Sequence, residues 1–379
     1  MKQLIISSAN EYQDLDKWLY ENRCRKLMLV CDDSIKYMNV FFDHLQVLIK
    51  DGLQIEYFRG FQPNPLYENI VSGVRGFREK RCDSIIAVGG GSAIDVAKCI
   101  KLFSNMEGDG TKGSFLKTEI VPNDIPFIAM PTTAGTGSEA TRYAVIYYHG
   151  EKQSITSENC IPQAVLMDAN ALKTLPLYQR KSTMMDAFCH AIESYWSVNS
   201  TEESRKYSHQ AIALILRHMD GYLCNTESGN AGMLAAANIA GKAINITQTT
   251  AGHAMCYKLT SLFGIAHGHA AILCVKELFP WMIENLQNCT DARGKDYLKH
   301  IFFKIAANMG CDTPEEAAEK LDSIFEDMEL TVPSADKKQF DLLRNSVNPT
   351  RLRNNPIALK SEDIDCLYHR ILSGEKYEG

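Results

Sequence analysis

Short apolar runs punctuate the first half of the chain, and each is followed by a stretch with the three-to-four-residue apolar spacing of a helix. Residues 26–31, 53–58, 84–88 and 126–130 predict strands, and residues 35–51, 67–81 and 92–103 predict helices between them. Strands alternating with helices in this way predict a mainly parallel sheet covered on both faces, hence an α/β domain. Beyond Leu175 the strand-type runs stop. Residues 181–197, 203–218, 231–246 and 291–308 carry helical spacing rich in Ala, Leu and Met, which predicts an all-helical second half. Pro176 falls between the two regimes and sets the expected domains at 1–175 and 176–379.

A chain of 379 residues, 45% of them hydrophobic, is too long for one small core and agrees with two domains. Its net charge of -6 is spread among interspersed acids and bases, without a block of five like charges, which argues against nucleic acid as a partner. No run of eighteen apolar residues occurs, and the apolar stretch after Met1 is too short for a signal peptide. The expectation is a soluble cytoplasmic protein with no membrane partner. Twelve cysteines without a Cys-x-x-Cys pair read as reduced core thiols.

Asp186 and His190 stand four residues apart in a helical stretch, so they share one face and can reach one cation. His253 and His267 follow downstream and would complete a four-ligand shell. Three neutral imidazoles and one carboxylate around a divalent ion leave a positive centre, suited to polarising a carbonyl. Taken alone, the Asp-x-x-x-His pair points first to a capping or hydrogen-bonding role, since such pairs arise often by chance, and other motifs must decide.

Gly89, Gly90, Gly91 and Ser92 follow a strand and open the helix bearing Asp95 and Lys98. Residues without Cβ let a phosphate approach, and the first N–H groups of the helix point at it; a tight turn is the plainer alternative. The stretch from Pro131 to Glu139, with Thr132, Thr133 and Thr136, repeats the arrangement after the next strand. It either lines a ligand mouth or caps its own helix through Ser138 or Thr136. Asp32, at the end of the first strong strand, could accept hydrogen bonds from a ribose and would repel a 2′-phosphate, favouring NAD(H) over NADP(H). An N-cap from Asp33 or Ser34 is the competing reading.

Together, Gly-Gly-Gly-Ser-Ala-Ile-Asp-Val-Ala-Lys98, Pro-Thr-Thr-Ala-Gly-Thr-Gly-Ser-Glu139, Asp-Ala-Phe-Cys-His-Ala-Ile-Glu193 and the segment from Gly252 to His269 resemble the iron-containing (group III) alcohol dehydrogenases. The resemblance implies an N-terminal Rossmann-like dinucleotide domain and a helical C-terminal domain carrying the metal, the architecture shared with dehydroquinate synthase. Catalysis would lie in the cleft between them. It carries the metal ligands over to Asp186, His190, His253 and His267, with Fe²⁺ as the expected ion, although ligand type also admits Zn²⁺. It carries cofactor contacts over to Asp32, Gly90, Gly91, Ser92, Thr132, Thr133 and Lys152, and Asp95 and Thr136 join that set from their places in the two motifs. The family commonly has a second histidine four residues after the position of His253; here that residue is Tyr257, whose phenol is a poorer proton shuttle. Tyr257 and His267 are the expected catalytic residues. Met184 replaces a glycine common before the Asp-x-x-x-His helix, which would narrow the pocket. His269 reads either as a group orienting a ligand imidazole or as a hydrogen-bonded structural histidine.

Arg142, Lys242 and Lys258 lie near these motifs, and their convergence would imply a small anionic aldehyde or alcohol as substrate. The stretches around Arg142 and from Thr250 to His267 resemble the phosphonate-associated branch of the family, which implies reduction of phosphonoacetaldehyde to 2-hydroxyethylphosphonate. The alternatives are a general short-chain alcohol or diol dehydrogenase, an NAD-dependent lyase or cyclase of the dehydroquinate synthase type, and a non-catalytic metal and nucleotide binding protein. The resemblance also implies a homo-oligomer, most simply a dimer.

Overall fold

A computed structural model describes residues 3–373. In its first part, β1 (Leu4–Ser7), α1 (Gln13–Glu21), β2 (Lys26–Cys31), α2 (Asn39–Lys50), β3 (Gln54–Phe58), α3 (Tyr67–Glu79), β4 (Ser84–Gly89), α4 (Gly91–Phe103) and α5 (Ser114–Lys117) lead to β5 (Phe127–Pro131). A hairpin of β6 (Tyr143–Tyr148) and β7 (Glu151–Thr156) and the strand β8 (Ala164–Met167) follow. Six strands form one parallel sheet in the order β1-β8-β5-β4-β2-β3. β4 and β5 are buried at every position because helices cover both faces. Alternate residues of the central strands serve the two sides. Met28, Val30, Ile85, Ala87, Phe127 and Ala129 pack with residues of α3 and α4. Leu27, Leu29, Ile86, Val88, Ile128 and Met130 pack with Leu15 and Trp18 of α1 and Phe41 and Leu45 of α2.

Two sequence expectations shift here. The helix expected over 35–51 is broken: a 3₁₀ turn over Asp33–Tyr37 precedes α2, and Met38 between them has φ -102° and ψ 59°, outside helical values. The strands β1, β6, β7 and β8 were not anticipated. β1 pairs with β8 across some 160 residues, Leu4 opposite Ala164, and its apolar run, Leu4 to Ile6, is only three residues long with one buried position.

From Pro176 onward the described residues are helical: α6 (Leu177–Trp196), α7 (Glu202–Leu223), α8 (Glu227–Thr247), α9 (Ala251–Phe263), α10 (His267–Glu284), α11 (Lys295–Asn308), α12 (Pro314–Asp327), α13 (Lys337–Ser346), α14 (Pro349–Leu352) and α15 (Ser361–Ser373), with short 3₁₀ turns between some of them. α6 lies against α7 and α10, and α10 in turn against α9 and α12. Gly268 lets α10 approach α6 closely, since a Cβ there would stand 1.9 Å from Ser182 O and 2.7 Å from Asp186 Cβ. Two compact units result, residues 1–175 with 225–234 and residues 176–224 with 235–379. The segment 225–234, which the sequence expectation gave to the helical half, belongs with the first unit: Asn225 Nδ2 donates to Lys173 O at 2.8 Å and Asn230 Nδ2 to Ala169 O at 3.3 Å. No helix among the described residues is long and apolar enough to cross a membrane.

Candidate active site

In the first unit, β2, β4 and β5 are parallel neighbours, so the turns at their carboxyl ends lie side by side. From β2 the chain runs to β3 at one edge, and from β4 to β5 in the other direction, which makes the β2/β4 boundary the switch point where such sheets receive ligands. Gly89 ends β4 at φ +155°, and a Cβ there would meet Ala93 Cβ at 2.5 Å and Asp32 Oδ2 at 2.6 Å. Across the turn, Cβ atoms on Gly90 and Gly91 would stand 3.4 Å from Thr133 Oγ1 and 3.1 Å from Thr136 Oγ1. The glycines therefore face the hydroxyl loop, and Ser92 lies in the first turn of α4, whose free amides open there. Thr132 is buried; its N–H donates to Gly89 O at 3.1 Å and its hydroxyl accepts from Ser34 Oγ at 3.3 Å. Asp32 itself, not Asp33 or Ser34, caps the 3₁₀ turn, accepting from Ser34 N at 2.9 Å and, at longer range, from Gly90 N at 3.4 Å. Thr136 accepts from Ser138 N at 3.2 Å, and Gly137 takes the cap position expected of Thr136 or Ser138.

Asp95 faces protein groups: Oδ1 accepts from Ser138 Oγ at 2.6 Å and Oδ2 from Val145 N at 2.9 Å. Burial lifts its carboxyl above the usual range despite the nearby Lys98 and Lys152 ammonium groups. Lys98, fully buried, donates to Ser138 O at 2.6 Å, Thr141 O at 2.8 Å and Tyr143 O at 2.6 Å. One ammonium thus ties the end of the hydroxyl loop and the start of the hairpin to α4. Arg142 pairs with Glu158 at 2.9 Å and donates to Tyr143 Oη at 3.1 Å. Lys152 sits on β7 opposite Tyr147.

The second unit brings Asp186, His190, His253 and His267 together. Asp186 and His190 face one another on α6, His253 comes from α9, and His267 is the first residue of α10. Asp186 Oδ1 is the hub, 3.8 Å from His190 Nε2, 3.3 Å from His253 Nε2 and 3.9 Å from His267 Nε2. Donor atoms around a tetrahedral cation at about 2.1 Å would be roughly 3.4 Å apart; the distances from Asp186 Oδ1 come within about 0.5 Å of that, while His190 stands outside the group whose donors are all mutually close. The Asp186, His253 and His267 donors all lie within 4.8 Å of one another. Burial works against the Asp186 carboxylate, but the three imidazoles hold it well below the usual range, as expected where protons and a cation compete for the same lone pairs.

Glu193 is the residue that sequence reasoning missed. It is fully buried on α6 and binds His253 Nδ1 through Oε2, while Oε1 accepts from Thr250 Oγ1 at 2.5 Å, Thr250 N at 3.1 Å and His253 N at 3.3 Å. Burial would raise its pKa, yet these bonds and the charge of His253 bring it below the ordinary value. A carboxylate on Nδ1 fixes the tautomer whose Nε2 lone pair points at a metal. Its signal in the sequence was the seven-residue interval from Asp186, which returns it to the same helix face. Gly252 makes room for it, since a Cβ there would stand 3.0 Å from Glu193 Oε1.

Tyr257 stacks on His267, ring centroids 5.3 Å apart, and burial pushes its phenol well above the usual range. Arg351 lies over the other ring in this row, its guanidinium carbon 5.0 Å from the Tyr257 centroid. Lys242 is on α8 and Lys258 on α9, both half-buried, whereas Arg142 belongs to the first unit. Met184 is fully buried in α6. His269 is a structural histidine: Nδ1 meets Tyr178 Oη at 3.1 Å and Nε2 meets Thr331 O at 2.9 Å. All twelve cysteines are free thiols.

Residues 3–169 match the family model described as iron-containing alcohol dehydrogenase, and residues 181–372 match that of the C-terminal part of the Fe-containing alcohol dehydrogenase family. The chain is 28% identical over 312 residues to a phosphonoacetaldehyde reductase of Streptomyces viridochromogenes, covering 79% of each. It is 26% identical over 369 residues to an NADPH-dependent butanol dehydrogenase of Clostridium saccharobutylicum, covering 91% of this chain and 92% of that one. Its fold matches the sulfoacetaldehyde reductase of Bifidobacterium kashiwanohense, solved in complex with NAD⁺, with a TM-score of 0.85, 24% identity and 98% of both chains covered.

Proposed function

The chain belongs to the iron-containing alcohol dehydrogenase family, a family of oxidoreductases acting on alcohols and aldehydes, and on that premise we propose that it reduces phosphonoacetaldehyde to 2-hydroxyethylphosphonate with NADH in the cytoplasm. The observation that carries the reading is the set of three imidazole Nε2 atoms around Asp186 Oδ1, one of which, that of His253, is oriented from behind by Glu193. A divalent cation there, Fe²⁺ or Zn²⁺, supplies Lewis acidity for a carbonyl oxygen, and a nicotinamide dinucleotide supplies hydride. Asp186, His190, His253 and His267 are its ligands in this reading. With one carboxylate among them they leave the centre positive, able to favour an alkoxide by several kcal/mol in a buried setting.

In this reading the first unit, residues 1–175 with 225–234, is the dinucleotide domain and the second unit the metal domain. Gly90, Gly91 and Ser92 admit the pyrophosphate against the amides of α4, and Thr133 and Thr136 face it from the hydroxyl loop. Asp32 stands at the switch point, where its charge would oppose a 2′-phosphate, which favours NADH over NADPH. Asp95 and Lys98 hold the loop in place. Tyr257, stacked on His267, would offer its phenol as a hydrogen-bond donor beside the reacting oxygen, and water would deliver the final proton. The anionic substrate is supported by the likeness to a phosphonoacetaldehyde reductase and by the cations on the helical unit, Lys242 and Lys258. The enzyme acts as a homodimer.

The test is an aldehyde panel, phosphonoacetaldehyde included, with NADH and NADPH after loading with Fe²⁺ or Zn²⁺. Net NADH consumption with the phosphonate aldehyde as the best substrate is the expected result. Preference for uncharged aldehydes or diols would move the enzyme to the general alcohol dehydrogenases, and the absence of net NADH consumption would leave a lyase that regenerates its cofactor.

A further inference from the structure

The row of rings beside the metal cluster ends in a cation that the preceding reading does not use. Arg351 comes from α14, a short helix capped by Asn348 that lies against α9. Its guanidinium covers the Tyr257 ring at 5.0 Å, and that ring stacks on His267 at 5.3 Å, so Arg351 stands no more than about 10 Å from the His267 imidazole. Nη1 donates to the neutral hydroxyl Thr249 Oγ1 at 3.4 Å, and among the described residues no carboxylate pairs with it. Arg142 and Arg293, also half-buried, pair with Glu158 and Asp291, whereas Arg78 and Arg205 spend their donors on backbone carbonyls and the Ser200 hydroxyl. A guanidinium over an aromatic face retains its planar fork of N–H donors, the arrangement that matches a tetrahedral oxyanion.

We propose that Arg351 is the specificity-determining residue that binds the phosphonate end of the substrate, an inference that rests on the function proposed above. A two-carbon aldehyde carrying a tetrahedral oxyanion spans roughly 4 Å from carbonyl oxygen to anionic centre. Its carbonyl can therefore lie at the Asp186 cluster while its oxyanion meets the Arg351 edge, with Tyr257 as the spacer between them. The same geometry takes a sulfonate in place of a phosphonate, with one charge fewer.

The experiment compares phosphonoacetaldehyde with 3,3-dimethylbutanal, a neutral aldehyde of the same shape, in the wild-type holoenzyme, R351Q and R351K. Glutamine keeps a planar group on Tyr257 and removes the charge; lysine keeps the charge and removes the fork. The ratio of kcat/KM for the anionic over the neutral aldehyde is expected to fall on the order of 100-fold in R351Q, through KM, and by less in R351K. Competitive inhibition by ethylphosphonate, read as Ki, should weaken in parallel, a change that a merely structural role of Arg351 would not confine to charged ligands. Sulfoacetaldehyde, run alongside, should lose less than phosphonoacetaldehyde. If wild-type enzyme does not prefer the anionic aldehyde, the phosphonate function itself fails and takes this inference with it. If wild type prefers it and both variants keep the ratio and the Ki, the function stands and Arg351 is not the anion-binding residue.

Discussion

Replacing Glu193 with glutamine isolates the effect of orienting one ligand. The two carboxylate oxygens have divided duties: Oε1 collects Thr250 N, Thr250 Oγ1 and His253 N, and Oε2 collects the proton on His253 Nδ1. An amide offers one acceptor and one donor. If its oxygen keeps the three donors, its NH₂ faces Nδ1 and is satisfied only when the ring proton moves to Nε2, the atom 3.3 Å from Asp186 Oδ1. If the amide turns over, its NH₂ confronts the donors from Thr250 and the backbone of His253. Either arrangement removes the metal-facing lone pair or leaves buried N–H groups unpaired. Metal affinity should fall by about 10–100-fold, the usual effect of losing such an orienting partner. Folding stability should drop by about 1.5–3 kcal/mol for the lost charge-assisted bonds. Chelator competition with Zn²⁺ as the probe reads the first, urea unfolding of the metal-free chain reads the second, and imidazole ¹⁵N shifts report the tautomer. An E193Q chain that binds Zn²⁺ within about threefold of wild type, with Nε2 unprotonated, would refute the reasoning.

Three further outcomes follow from the packing. Gly268→Ala places a methyl 1.9 Å from Ser182 O and 2.7 Å from Asp186 Cβ, so α10 must move off α6; a stability loss of about 1–3 kcal/mol or more is expected, seen as a lower Tm together with weaker metal retention. Lys98→Met leaves the carbonyls of Ser138, Thr141 and Tyr143 without their shared donor. A loss of at least about 3 kcal/mol should appear in urea unfolding, and an unchanged midpoint would contradict it. Lys101, buried in α4, has its pKa lowered from 10.5 to about 8 by desolvation. Between those values the unfolded chain holds the proton while the folded chain has released it, so this residue's contribution to stability is complete above pH 10.5 and falls as the pH drops toward 8. Lys101→Met should flatten that part of the stability profile by about 3 kcal/mol relative to wild type, which parallel unfolding curves would show.

How much of this was legible depended on whether a feature is local. The central strands β2, β4 and β5 announce themselves as uninterrupted apolar runs because both faces are covered, and the four candidate ligands stand out because they fall within motifs that occur in family order, not because an Asp-x-x-x-His pair is telling by itself. β1 and β8 did not show, since each is a short strand completed by a partner about 160 residues away. The break at Met38 was equally hidden: the apolar spacing continues across it, and the cap that begins the preceding turn is the Asp32 side chain. Glu193 lay inside a motif read correctly as helical, but its duty depends on His253, sixty residues on, and on the space left by Gly252. Arg351 is further still from Tyr257, on a four-residue helix that no periodicity marks.

The Lys98 knot has a consequence for the history of this fold. A single side chain closing three carbonyls couples α4 to residues 138–143, because a change in the length or path of either strands the other. Chimeras between relatives should accordingly tolerate crossover points before β4 or after the hairpin, and fail when the junction falls between the ammonium and the backbone it gathers.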